Sequence, residues 1–383
     1  MFVFFWLGIG FLITFTIIVI AFVNLNNFPA PTGRYGVGTT ELHLIDTNRK
    51  EANNPNFPRE LMLHIWYPTS IKTESPKILY NADAIENYKE FIQLQSTIPA
   101  WLLTGFQKTK IYARHNAVLV NGDLFPVIIV SHGSGPMIQQ YTWLTEELAS
   151  QGYIVIGINH PYMAARTRFP DGRCINSLMT TKRKEGKEIA RAWKQEQFET
   201  AAHDIAFVLN SISKFDTQSS WMFYKKLDLD HIGMAGHSSG GALTMYMCLK
   251  DARIKAGVAF DSGLRGNLNV VPLHTPFLEI VAKKSRIWAD DEGKIESENL
   301  NRLCRASQNM TIIALDNIGH NAFTDLPLLL HETLLGQLLS KFIDVDLNAS
   351  SVYSRKMQNI TKKYTTDFFD KYLKNKPSLS PDN

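Results

Sequence analysis

Runs of consecutive apolar residues, separated by helical patterns, constrain the fold of this chain more than any other feature. Phe125 to Val130 and Tyr153 to Ile158 are two such runs, with only a proline or a glycine interrupting the large side chains. Strands that are apolar on both faces are buried on both faces, which is typical of parallel sheets covered by helices. The sequence therefore predicts an α/β fold with a mostly parallel central sheet and helices on both faces.

Further elements follow the same alternation. Strands are also predicted at residues 61–68, 231–235, 254–260, 277–282 and 311–315. Helices are predicted at residues 143–149, 201–211, 242–249, 326–343 and 352–374. The expected organisation is an N-terminal segment at 1–28, one α/β domain at 29–374, and a frayed polar tail at 375–383. Residues 80–115 fit the alternation least well, and we interpret them as an insertion or cap.

The N-terminal segment from Phe2 to Val23 is apolar and carries no charge. As a helix of about 1.5 Å per residue it reaches about 33 Å, enough to cross a bilayer core. No basic residue follows Met1, and no small-residue cleavage site lies between Asn24 and Pro29. An uncleaved transmembrane helix is therefore favoured, with a cleaved signal peptide as the alternative.

The composition excludes several other classes of protein. The 383 residues are 45% hydrophobic and 20% charged, with 40 basic and 36 acidic side chains, a net charge of +4. These values are typical of a folded globular chain, and without a basic stripe no nucleic-acid partner is expected. The three cysteines are too scattered for a disulfide framework or a zinc site, so no metal or cofactor is predicted.

The chemistry is indicated by the sequence Gly-His-Ser-Ser-Gly at residues 236–240, between a predicted strand and a predicted helix. A G-x-S-x-G motif in that context forms a nucleophile elbow, because a sharp turn with small residues at either end exposes the central serine. The following helix N-terminus offers free N–H groups to an oxygen that becomes negatively charged. Ser238 is therefore the predicted nucleophile.

A serine needs a base, and in this architecture the acid and then the histidine follow it in sequence. His320 lies in a loop after the last predicted strand, at the sheet edge where ligand-facing loops collect. His274 precedes a strand, and His331 lies inside a predicted helix. His320 is therefore the preferred base.

The acid is less well specified. Asp261 ends the predicted strand at 254–260, so it emerges directly at the carboxyl edge of the sheet. Asp290 and Asp291 lie beyond the next strand and remain alternatives. Asp316 is on the same loop as the base and is a weaker candidate.

Four segments together resemble a known family. They are Ser-His-Gly at 131–133, the elbow with its following glycine at 236–241, Val-Ala-Phe-Asp-Ser-Gly at 258–263 and Gly-His-Asn-Ala-Phe-Thr-Asp at 319–325. These segments are similar to the platelet-activating-factor acetylhydrolases of the secreted, lipoprotein-associated type and their bacterial relatives, within the α/β-hydrolases. The resemblance extends from about Pro31 to Leu373.

The resemblance implies a calcium-independent esterase for short or oxidised acyl chains. By the same resemblance, Ser238, Asp261 and His320 form the catalytic triad, and the backbone N–H groups of Ser134 and Ser239 form the oxyanion hole. The family usually carries a bulky residue after the nucleophile, whereas this chain has Ser239. That difference leaves the size of the acyl pocket open.

The expected function is thus a serine esterase acting on an ester or phospholipid substrate, with sn-2-acetyl phospholipid as one candidate. A general carboxylesterase or polyester-type hydrolase is the alternative. An inactive α/β-hydrolase used as a binding module is disfavoured, because all three triad residues are present. The expected location is a single-pass membrane protein with its catalytic domain outside the cytoplasm, or a secreted protein if the N-terminal segment is cleaved.

Overall fold

The computed structural model describes residues 28–72, 78–95, 109–122, 124–264, 271–283, 291–331 and 351–377, together with residues 6, 10, 14, 107 and 285. The predicted transmembrane segment, Phe2 to Val23, lies outside the described residues except at three positions. Within the described part, none of the helices combines the length and apolar character that a membrane crossing requires.

The strands are β1 (Gly36–Glu51), β2 (Asn54–Thr69), β3 (Ile78–Leu79), β4 (Lys110–Ile111), β5 (Arg114–His115), β6 (Phe125–Ser131), β7 (Ile154–Asn159), β8 (Arg166–Arg168), β9 (Cys174–Asn176), β10 (Leu227–His237), β11 (Ile254–Phe260), β12 (Phe277–Ala282) and β13 (Met310–Leu315). The helices are α1 (Ala82–Gln95), α2 (Thr142–Ser150), α3 (Met179–Glu185), α4 (Lys187–Phe215), α5 (Ser239–Lys250), α6 (Asp291–Ala306), α7 (Leu326–His331) and α8 (Ser351–Leu373).

Among the described residues, nine strands form one sheet in the order β13-β12-β11-β10-β6-β7-β2-β1-β5. The strands from β13 to β7 in this order are all parallel to their neighbours. β2 is antiparallel to both β7 and β1. The predicted α/β fold with a mostly parallel sheet is therefore confirmed, with an antiparallel hairpin at one side.

Helices cover both faces of this sheet because neighbouring strand residues point to opposite sides. On β6, Ile128 belongs to one core cluster and Ile129 to the other. The first cluster includes residues of α2, α7 and α8, for example Trp143 and Phe369. The second includes residues of α4, α5 and α6, for example Leu243. The parallel sheet is thus the middle layer, and the loops at its carboxyl edge are held on a rigid base.

The sequence prediction missed β1, a 16-residue strand. Its second half lies near the edge of the sheet and has a mixed burial pattern, in which Ile45 is exposed while Asp46 and Glu51 are buried. It has no continuous apolar run, which is the signal that marked the central strands. The segment at 80–115 contains α1, the two-stranded pair β3–β4 and β5, and β5 joins β1 at the sheet edge.

Two predicted helices differ from the structure in extent. The helix predicted at 201–211 is the middle of α4, which has 29 residues. The helix predicted at 326–343 is seen as α7, which ends at His331, and its remaining residues lie outside the described part.

Candidate active site

A sharp turn between β10 and α5 carries the predicted nucleophile. The backbone of Ser238 has φ +55° and ψ −121°, a conformation that residues other than glycine rarely adopt. A Cβ placed on Gly236 would lie 2.2 Å from the carbonyl oxygen of Gly240, and a Cβ on Gly240 would lie 2.2 Å from that of Ser131. Both glycines are therefore required by backbone contacts, as the elbow motif predicts.

The predicted acid and base are hydrogen-bonded to each other. Asp261 follows β11 and is fully buried, and its Oδ2 lies 2.7 Å from Nδ1 of His320. Its Oδ1 accepts a hydrogen bond of 2.9 Å from the Ala282 amide. Because the carboxylate holds the proton of His320 on Nδ1, Nε2 is the ring nitrogen left to accept a proton.

The structure describes most of the other acids and bases considered from the sequence. Asp290 is outside the described residues, and Asp291 is the first residue of α6. His274 is exposed before β12, and His331 is the last residue of α7. Asp316 is paired with Lys283 at 3.0 Å on the surface.

The loop after β6, residues 131–135, passes beside the elbow and is called the oxyanion loop below. A Cβ built on Gly133 would come 3.2 Å from Cβ of Ser238, so glycine allows this close approach. The next residue, Ser134, has its Oγ 2.8 Å from Oγ of Ser239. The two residues predicted to supply the oxyanion-hole amides are thus in contact through their side chains.

A buried chain of hydrogen bonds joins the oxyanion loop, the elbow and the His320 loop. The amide of Gly133 donates to the Tyr141 hydroxyl at 3.2 Å, and that hydroxyl donates to Nδ1 of His237 at 2.9 Å. Nε2 of His237 donates to the His320 carbonyl oxygen at 3.0 Å. Burial, together with the nearby His320, holds the pKa of His237 well below its usual value, so its ring is neutral.

Sequence reasoning did not assign a role to His237 or Tyr141. His237 occupies the unconstrained position of the elbow motif, and Tyr141 lies 96 residues earlier in the chain. Nothing in the local sequence pattern indicates their contact, because it exists only once β6 and β10 pair.

A second buried network reaches Ser131, the residue at which the oxyanion loop begins. The Arg59 guanidinium contacts Asp204 at 2.6 Å, and Asp204 contacts Nδ1 of His160 at 2.9 Å. Nε2 of His160 lies 3.2 Å from Oγ of Ser131, the last residue of β6. Burial alone would raise the pKa of Asp204, but Arg59 and His160 lower it well below its usual range, so the carboxylate stays ionised.

Asp325 fixes the segment after His320 to helix α2. Its carboxylate accepts hydrogen bonds from the amides of Thr142 and Trp143, at 2.8 and 3.0 Å, and from the Tyr80 hydroxyl at 2.8 Å. These amides belong to the first turn of α2 and have no acceptor within the helix. Burial raises the pKa of Asp325 to about 6, although the hydrogen bonds oppose this shift.

The fold and this constellation define the class of the protein. A strained serine after a central parallel strand, at the same sheet edge as a buried aspartate–histidine pair, is the arrangement of an α/β-hydrolase. Within that class, the chain belongs to the family described as platelet-activating factor acetylhydrolase, isoform II, whose model matches residues 20–378.

The names of similar proteins are consistent with membership of this family. A probable 1-alkyl-2-acetylglycerophosphocholine esterase of Arthroderma benhamiae is 24% identical over 357 residues, covering 89% of this chain and 87% of the relative. A platelet-activating factor acetylhydrolase of Cavia porcellus is 25% identical over 370 residues, covering 90% of this chain and 78% of the relative.

A solved structure gives the same answer for the fold. A ferulic acid esterase from Streptomyces cinnamoneus superposes with a TM-score of 0.70 at 25% identity, covering 94% of this chain and 96% of the other. The family and these esterases together show that the chain is a carboxylic ester hydrolase.

Proposed function

We propose that this protein hydrolyses esters through a covalent acyl-enzyme formed on Ser238, with His320 as general base and Asp261 as its orienting acid. The observation that carries the proposal is the 2.7 Å bond between Asp261 Oδ2 and His320 Nδ1 at the sheet edge that also holds the Ser238 elbow. A buried carboxylate at that position fixes the imidazole tautomer that leaves Nε2 free to receive a proton.

In the proposed acylation, His320 Nε2 takes the proton of Ser238 as Oγ attacks the carbonyl carbon of the ester. The carbonyl oxygen becomes negatively charged and is stabilised by the backbone N–H groups of Ser134 and Ser239. As the intermediate collapses, the C–O bond to the leaving alcohol breaks and the alkoxide receives the proton from His320. A water molecule then repeats the sequence, releasing the acid and restoring Ser238.

The buried Asp261 supports both half-reactions. His320 becomes positively charged each time it holds the serine or water proton, and an adjacent carboxylate stabilises that charge. The neutral His237 ring lies 4.4 Å from the His320 ring, measured between centroids. Because His237 stays neutral, it adds no like charge that would oppose the protonation of His320.

For the substrate, we propose a short or oxidised acyl ester, with sn-2-acetyl phospholipid as the leading candidate. This is supported by family membership and by the activity in the name of the Arthroderma benhamiae relative. A general carboxylesterase is the second candidate, supported by the structural similarity to a ferulic acid esterase and by the small Ser239. Rates on p-nitrophenyl esters of two to twelve carbons, compared with sn-2-acetyl and sn-2-palmitoyl phosphatidylcholine, distinguish the two.

The nucleophile assignment is tested by Ser238→Ala in the full-length protein. Loss of a nucleophile leaves only the small residual rate from binding and the oxyanion hole, so we expect a fall of several orders of magnitude in kcat. Ser213→Ala is the matched control, because its hydroxyl bonds the Leu209 carbonyl on α4. A fluorophosphonate probe should label the control and the wild type but not Ser238→Ala, and labelling of that variant would reject the assignment.

We further propose that residues 2–23 form a transmembrane anchor that holds the domain at 29–374 at the outer surface of a membrane. The apolar, uncharged sequence of this segment supports the proposal. After carbonate washing, activity and an N-terminal epitope should both remain in the pellet. Activity in the supernatant on a chain lacking the N-terminal segment would show a cleaved signal peptide instead.

A further inference from the structure

The side chains of Ser134 and Ser239 form a contact that a purely backbone oxyanion hole does not require. Their Oγ atoms are 2.8 Å apart, although the residues are 105 positions apart in sequence. Ser134 is in the oxyanion loop and Ser239 opens helix α5. In the described part of the chain, neither backbone N–H is engaged by a carbonyl oxygen, as expected for Ser239 in a first helical turn.

The hydrogens of this pair can be counted. Two hydroxyls carry two hydrogens, and one of them lies in the bond between the two oxygens. Within the described residues, neither hydroxyl has a further hydrogen-bond partner. One hydroxyl hydrogen of the pair is therefore available to a bound molecule.

Burial indicates which hydroxyl keeps the available hydrogen. Ser239 is only 4% exposed, whereas Ser134 is half-buried. If Ser134 donated to Ser239, the Ser239 hydrogen would be buried without an acceptor, which is unfavourable because a buried donor then loses its hydrogen bond to water without replacement. Donation from Ser239 to Ser134 avoids that cost and leaves the Ser134 hydrogen on the accessible side.

From this arrangement we infer that the Ser134 hydroxyl is a third donor to the ester carbonyl oxygen as it becomes charged, and that Ser239 orients it. The inference rests on the proposed acyl-enzyme mechanism at Ser238. The location of Ser134 is consistent with this role, because the preceding residue, Gly133, lies close to the Ser238 side chain. A donor fixed in advance by a neighbouring hydroxyl needs little reorganisation when the charge develops.

The test compares Ser134→Ala, Ser134→Thr and Ser239→Ala in the full-length enzyme with p-nitrophenyl acetate. Removing one oxyanion-hole donor typically lowers kcat by about 10²–10³-fold, so Ser134→Ala should lose about 10²-fold in kcat with KM nearly unchanged. Ser134→Thr keeps the hydroxyl and should retain most of the activity. Ser239→Ala keeps the donor but loses its orientation, so its loss should be smaller than that of Ser134→Ala.

A transition-state analogue distinguishes this role from a merely structural one. A short-chain trifluoromethyl ketone forms a tetrahedral adduct with the same developing charge, so its affinity should fall in Ser134→Ala by about the same factor as kcat. Ser134→Ala with kcat within threefold of wild type, or with a loss confined to KM, would overturn the inference. An active Ser238→Ala would instead reject the underlying mechanism, so the two failures are distinguishable.

Discussion

Replacing Asp325 by asparagine should change how the stability of the protein depends on pH. The wild-type carboxylate is fully buried, and its hydrogen-bond donors in the described part of the chain are two amides and the Tyr80 hydroxyl, with no cation among them. Burial therefore raises its pKa from 3.8 to about 6. In Asp325→Asn the NH₂ group replaces one oxygen and faces a buried N–H donor, which costs about 1–3 kcal/mol.

The sign of the pH effect follows from proton linkage. Because the folded-state pKa of Asp325 is above the unfolded-state value, the folded protein binds a proton that the unfolded chain releases between pH 4 and 6. The contribution of this group is greatest below pH 4 and is lost as the pH rises through 6. The shift of about 2 units corresponds to about 3 kcal/mol.

The stability deficit of Asp325→Asn relative to wild type should therefore be larger at pH 4 than at pH 7, by about 2–3 kcal/mol. Urea unfolding of the full-length proteins, followed by tryptophan fluorescence at pH 4, 5, 6 and 7, measures it. Glu279, another buried carboxyl with a raised pKa, does not depend on Asp325, so its contribution is common to both proteins and cancels in the difference. Parallel stability curves for the two proteins would refute the reasoning.

Three further substitutions test the candidate site. Asp261→Asn should favour the wrong tautomer of His320 and lower kcat by about 10⁴-fold with little change in KM, and steady-state kinetics that show less than a tenfold loss would move the acid elsewhere. Gly240→Ala should prevent folding of the elbow, because its Cβ would lie 2.2 Å from a backbone carbonyl oxygen; circular dichroism and the soluble yield report this. Tyr141→Phe leaves Nδ1 of His237 and one loop amide without a partner, so the free energy of unfolding should fall by about 2–5 kcal/mol, as measured by urea denaturation. An unchanged urea midpoint would show that this chain of bonds contributes nothing.

The sequence alone determined the central part of the fold and the elbow. Strands such as β6 and β7 lie between two layers of helices, so all of their residues are buried. Their sequences are therefore continuous apolar runs, which can be recognised without the structure. The elbow is local only in part. A side chain at Gly236 would meet the backbone of Gly240 in the same turn, whereas a side chain at Gly240 would meet the backbone of Ser131 at the end of β6.

Contacts between polar side chains that are far apart in the sequence are set only by the tertiary structure. From the sequence, Asp261, Asp290 and Asp291 are all open as the acid. The His320 loop follows β13, which is separated from β11 by β12, and only the folded chain brings this loop to Asp261 at the end of β11. The contacts of His237 with Tyr141 could not be read from the sequence, since they join segments far apart in the chain. The same holds for the hydroxyl contact between Ser134 and Ser239. A local pattern records burial and steric limits, whereas the identity of a polar partner depends on which strands and loops become neighbours in the folded chain.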